Sequence, residues 1–111
     1  SVTIQSDVTD GTDLWLVRRD KDLIREGLQT IFRQMREQGG TEKPKFVLHF
    51  ECVGRGKVVF REHEKIELIT TLQKGVGEGV PWLGFYTYGE IAPIREHSCF
   101  HNFTSVVAAI Y

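Results

Sequence analysis

Cysteine and proline are scarce in this chain, and neither sign of charge is in surplus. Two cysteines, Cys52 and Cys99, in 111 residues make no disulfide framework, so reduced thiols are expected in a cytosolic setting. Lys and Arg number 14 against 15 Asp and Glu, a formal net charge of −1. That balance excludes the basic stripe a nucleic-acid binder needs. No apolar run approaches the roughly 18–20 residues that would span a bilayer. The opening residues, Ser1-Val-Thr-Ile-Gln5, lack the basic-then-apolar order of a signal peptide. These features together predict a cytoplasmic domain with no nucleic-acid partner, no membrane segment and no cofactor.

What is present is an ordinary globular composition, 41% hydrophobic and 26% charged, in a length that suits one domain spanning residues 1–111. A chain of this size buries about two-thirds of its unfolded surface and can build a core without staples. It opens into a strand pattern and closes on one, Val106 to Tyr111, which leads us to expect a segment excised from a longer protein.

Val2 to Val8 reads as a strand, Thr9-Asp-Gly-Thr12 as a turn and Leu14 to Arg18 as a second strand, predicting an opening hairpin. Asp20 stands where an N-cap belongs, and Leu23, Ile24, Leu28, Ile31, Phe32 and Met35 follow at helical spacing until Gly39-Gly40 and Pro44. Phe46 to Val53 is a strand that ends in the tight Gly54-Arg55-Gly56 loop. A second helix is expected from about Phe60 to Lys74, then a glycine-rich connection (Gly75, Gly77, Gly79) to Pro81. Leu83 to Glu90 reads as a strand, Pro93 to Cys99 as a loop, and Asn102 to Tyr111 as the closing strand. The resulting order, β-β-α-β-α-β-β, predicts an α+β fold with a largely antiparallel sheet and two packed helices. The central β-α-β-α-β could instead use right-handed parallel crossovers.

Three clusters carry candidate chemistry. In Gly84-Phe-Tyr-Thr-Tyr-Gly-Glu-Ile91, glycines interrupt a strand pattern. Either something approaches the backbone closely or the strand bulges. Alternation would put Gly84, Tyr86, Tyr88 and Glu90 on one face, two phenols and a carboxylate beside bare backbone, which suits a small polar ligand. The competing structural reading is a bulged edge strand with surface tyrosines. The second cluster, Phe50 to Gly56, offers loop amides and the Arg55 fork to an anion; a plain glycine turn with a solvated arginine reads equally well. In the third, His97 to Thr104, His and Cys together with His49 and Cys52 are suitable zinc ligands. The spacing argues against a metal, because His49 and Cys52 point to opposite faces of a strand. A catalytic pair of Cys52 and His101 with Glu90 as orienter is chemically conceivable, though buried structural cysteines are commoner.

Taken together, Cys52-Val-Gly-Arg-Gly56, Pro81-Trp-Leu-Gly-Phe-Tyr-Thr-Tyr-Gly-Glu-Ile91, His101-Asn-Phe-Thr104 and the apolar end Val106 to Tyr111 resemble the C-terminal domain of the FIST family of sensory proteins. The resemblance covers nearly the whole chain and is most specific in the Gly84 to Ile91 stretch followed by His101-Asn102. It implies a non-catalytic sensory domain of bacterial signal transduction that binds small ligands, amino acids or their derivatives. Its implied partners are an N-terminal FIST domain and a signalling output domain. The site residues it implies are Cys52, Gly54, Arg55, Gly84, Tyr88, Gly89, Glu90, His101 and Asn102. Within that set Arg55 would pair an acidic group of the ligand and Glu90 an amine, unless the two pair with each other. Asn102 and the Gly89 backbone would orient the ligand, with Tyr86 or Tyr88 as an apolar wall. A thiol-dependent enzyme centred on Cys52 is one alternative. A protein-interaction scaffold, using a sheet edge or the Trp15 and Trp82 surfaces, is the other.

Overall fold

A computed structural model describes residue 3 and residues 7–111. Among these residues the elements run α1 (Lys21–Gly39), β1 (Phe46–Cys52), α2 (Glu62–Val76), β2 (Trp82–Thr87), β3 (Glu90–Ile94), β4 (His97–His101) and β5 (Ser105–Ile110). The chain is α+β, and two of its three strand pairings are antiparallel.

Helix α1 starts where its cap dictates. Asp20 is extended, and its carboxylate accepts from the backbone N–H groups of Asp22 and Leu23 at 3.0 and 3.3 Å, satisfying two donors that the first turn leaves free. Gly40, at φ 62°, ends it. Helix α2 follows an N-cap at Arg61, whose backbone N–H donates to the Glu64 carboxylate. That carboxylate also binds Lys21 at 2.7 Å and Arg25 at 3.2 Å, so the two helix N-termini are tied together through Glu64.

The main sheet has the order β2-β1-β5. Strands β1 and β2 are parallel, joined through α2, while β1 and β5 are antiparallel. The parallel crossover left open by the sequence is therefore used once. On β1, Val47, His49 and Glu51 are buried, and Leu28, Phe32 and Leu72 of the helices pack with Trp82 and Val107 to form the core on that side. The opposite face carries Phe46, Leu48, Phe50, Leu83, Phe85, Val106, Ala108 and Ile110 by strand parity. No helix covers it among the described residues, and Leu83 and Phe85 are 66% and 59% exposed.

Three expectations are corrected. Most of the Val2 to Val8 strand lies outside the described residues. Its turn is present, with Thr12 N–H donating to the Thr9 carbonyl and Gly11 at φ 88°. Leu14 to Arg18, however, is irregular and exposed: strand-forming residues need a neighbouring strand to pack on, and none of the described strands pairs with it. Secondly, Leu83 to Glu90 is not continuous. The strand stops at Thr87, so Tyr88, 88% exposed, and Glu90, 3% exposed, do not share a face. Thirdly, Pro93 to Cys99 is not a loop, because Pro93 pairs with Ser98 and Ile94 with His97 in the β3–β4 hairpin. Arg95 at φ 56° makes its turn.

Leu72, 2% exposed at the junction of both helices, tests this core. Leu72→Ala should lower unfolding free energy by about 2–5 kcal/mol, whereas Leu83→Ala on the open face should change it by less than about 0.5 kcal/mol. Urea denaturation measures both.

Candidate functional site

The parity of β1 sends two polar side chains, His49 and Glu51, into the side covered by the helices. Burying a carboxylate there is costly unless it is paired and hydrogen-bonded. The turn after β1 supplies the partner. Arg55 N–H and Gly56 N–H both donate to the Cys52 carbonyl, curling the chain so that the Arg55 guanidinium returns to Glu51, with Nη1 donating to Oε1 at 2.6 Å. The other carboxylate oxygen meets His49 Nε2 at 3.2 Å, and the same nitrogen meets Ser105 Oγ of β5 at 2.8 Å. Burial pushes the Glu51 carboxyl up, but His49, the Arg55 charge and the Ser105 hydroxyl outweigh it and hold the carboxyl below its ordinary value.

Serine, histidine and a carboxylate in a row invite comparison with a hydrolase triad. A triad needs the histidine to face the serine with one ring nitrogen and the acid with the other. Here Nε2 faces both, so His49 joins β1 to β5 and has no relay geometry.

The residues named from the sequence gather at one end of the sheet, where β1 and β2 finish and β5 begins. Cys52 is buried, and its sulfur accepts the Phe103 N–H at 3.3 Å. A Cβ on Gly54 would collide with the Phe103 ring. Glu90 is buried, with Thr104 Oγ1 donating to one oxygen at 2.8 Å and Thr87 Oγ1 to the other. Gly89 lies under the Phe100 ring. His101 pairs with Glu90 across the hairpin, and its Nε2 meets the Ala92 carbonyl at 3.1 Å. Asn102 is exposed in the following turn. Gly84 stands apart in mid-strand opposite His49, whose backbone carbonyl occupies the place a Cβ would take. Arg55 and Glu90 do not pair, since Arg55 binds Glu51. Cys52, His101 and Glu90 make no hydrogen bond to one another, and among the described residues no three His, Cys, Asp or Glu side chains converge on a metal position.

The largest cavity at this end is a cleft of about 750 Å³ lined by Val17, Arg18, Arg19, Asp20, Leu23, Ile24, Arg55 and Phe103. Trp82 Nε1 is the one fully buried side-chain polar atom without a partner among the described residues. Arg55 is 9% exposed and lines both this cleft and a smaller pocket that it shares with His49, Glu51 and Tyr86. Phe103 adopts φ 59°, a left-handed conformation that costs a bulky residue on the order of 1–3 kcal/mol. Its ring packs on Gly54, and the Arg19 guanidinium lies 4.3 Å from the ring centroid. Arg18 and Arg19 lie outside the clusters marked from sequence, and Glu51 and Phe103 lie inside them without having been given a binding role. The one signal available was the odd parity of β1, which places His49 and Glu51 together with Val47.

Comparison with known proteins gives a family and a few distant relatives. The profile of the FIST C domain matches residues 1–93. Uncharacterized proteins of Mycobacterium tuberculosis, strains CDC 1551 and H37Rv, are each 36% identical over 63 residues. These residues are 55% of this chain and 15% of the relative. An uncharacterized protein of Mycobacterium bovis matches to the same extent. The matched stretch is thus a small part of each relative. No solved structure matches the chain.

Two measurements test the buried network. The Glu51 carboxyl is lowered from 4.5, and Lys21 together with the Arg61 N–H brings Glu64 down to about 2. Their stabilisation is therefore fully present above their ordinary value and is lost as the pH falls through the lower folded values. Urea midpoints should be flat from about pH 7 to 5 and fall below that, and the Glu51→Gln variant should start lower and fall less steeply. In the second test, Gly54→Ala should push the half-exposed Phe103 ring off the Cys52–Gly56 turn and cost about 1 kcal/mol.

Proposed function

This chain belongs to the FIST C domain family, a domain of signal transduction proteins, and on that premise we propose that it is a non-catalytic sensory module. Its ligand is small and carries a carboxylate, an amino acid or a derivative of one. The observation that carries this reading is the position of Arg55, held by Glu51 and lining a cleft whose volume suits a small molecule. A guanidinium held in this way is pre-oriented, so little side-chain freedom is lost when a carboxylate docks. Cys52 and Gly54 support the turn that presents Arg55 and the ring that walls the cleft. Glu90, His101 and Asn102 shape the chain that carries Phe103, with Gly89 and Tyr88 at the break between β2 and β3. Gly84 lets β1 and β2 lie close. The ligands of this reading are cytoplasmic, and no helix among the described residues is long and apolar enough to cross a membrane.

One further observation favours a second role beside the first. The open sheet face presents Leu83 and Phe85 to solvent, and a patch of this kind suits a docking surface. The partner we assign to it is another part of a longer polypeptide, an N-terminal FIST domain that couples the module to a signalling output. The small share of each relative that this chain matches accords with such an arrangement.

Calorimetric titration with a panel of amino acids and their derivatives tests the ligand reading. Arg55→Lys keeps the charge beside Glu51 but loses the fork; it should leave the fold intact and weaken a binding ligand at least about tenfold, roughly 1.4 kcal/mol. Unchanged affinity in that variant would remove Arg55 from the site.

A further inference from the structure

The charge around the cleft says more about the ligand than its shape does. Three guanidinium groups, Arg18, Arg19 and Arg55, line it against one carboxylate, Asp20. That carboxylate is already engaged. One oxygen accepts the Asp22 and Leu23 N–H groups that begin α1, and the other lies 3.5 Å from Arg18. Behind Arg55, both Glu51 oxygens are held by Arg55 and His49, and both Glu90 oxygens by threonine hydroxyls. An ammonium entering the cleft would meet no free carboxylate, while Asp20 and Glu51 offset Arg18 and Arg55 and leave Arg19 as the excess cation among the described residues. A carboxylate or phosphate meets the reverse situation. The Arg19 guanidinium lies over the Phe103 ring, 4.3 Å from its centroid, and makes no ion pair among the described residues, so its N–H groups can donate to an anion; Arg55 lines the same cleft.

From this geometry we propose that the cleft selects organic acids without an ammonium group: an anionic head held by Arg55 and Arg19, with an apolar body against Val17, Leu23, Ile24 and Phe103. The inference rests on the ligand-binding reading above and narrows it from amino acids and derivatives to the deaminated acids.

Three related compounds that share the phenylethyl group separate the possibilities: 3-phenylpropanoate, phenylalanine and phenethylamine, titrated calorimetrically against the protein as it stands. The acid should bind at least tenfold more tightly than phenylalanine, and the amine should not bind. Arg19→Ala, at an exposed position that the fold does not need, should weaken the acid severalfold. Asp20→Asn keeps a good helix cap while removing the one acidic group, and should tighten it. Phenylalanine binding as well as or better than the acid would overturn the inference while leaving the ligand-binding reading in place. Acid binding that is indifferent to both variants would overturn the placement in this cleft. If the acid fails to bind, the inference falls; if the wider amino-acid panel is silent too, the ligand-binding reading falls with it.

Discussion

The buried ion pair between Glu51 and Arg55 is the constraint on which the arrangement at the carboxyl ends of β1 and β2 depends. Removing two charges from water costs several kcal/mol each, and their attraction compensates only where the geometry is good and the remaining polar atoms are satisfied. The geometry is good, and both carboxylate oxygens are satisfied. The contact is 2.6 Å, and the second carboxylate oxygen is taken by His49, itself joined to Ser105. The pair therefore fixes the turn from Cys52 to Gly56, and His49 ties β1 to β5. Deleting either charge strands the other in the core, a loss on the order of 3–5 kcal/mol. The charge-retaining Arg55→Lys substitution is for that reason the informative one.

From that anchor the geometry spreads outward. The turn puts Gly54 under Phe103, and the Cys52 sulfur receives the Phe103 N–H, which helps hold a bulky residue in a left-handed conformation. Phe103 in turn receives Arg19 from the segment before α1. Local strain, a buried ion pair and a cleft meet at the carboxyl ends of the parallel strands, the place where open sheets of this kind commonly bind ligands. The two helices, locked at their N-termini through Glu64, cover only one side of the sheet. Among the described residues no helix covers the apolar far side, and Leu83 and Phe85 are exposed there.

Much of the fold was legible in the sequence because its signals are local and strong. Asp20 announced α1, the spacing of Leu28 and Phe32 gave its buried face, and Phe46 to Val53 and the second helix fell within two residues or so of their observed bounds. The β3–β4 hairpin was hidden because its turn is made by Arg95 rather than glycine or asparagine, and because Pro93 discourages a strand assignment. Leu14 to Val17 has strand composition without a described partner, a matter that only pairing can decide. At the site, residue types were legible but partnerships were not. Arg55 was marked as an anion binder, yet its contact is Glu51, four residues back across a turn, and not Glu90. Glu90 reads as a ligand group from its neighbours, whereas it binds two threonines. The positive φ of Phe103 has no signature in a bulky aromatic residue.

The central claim is that Arg55 is fixed by Glu51 on one side and receives a ligand's acidic group on the other. The most direct measurement is the NMR signal of the Arg55 Nε–Hε group, assigned by Arg55→Lys, followed while 3-phenylpropanoate is added. The account predicts a signal visible in the free protein, because the guanidinium is held and largely buried, that moves saturably with the added acid while the Leu72 and Val47 methyl signals stay in place. An Arg55 signal unmoved by an acid that demonstrably binds the protein would contradict it.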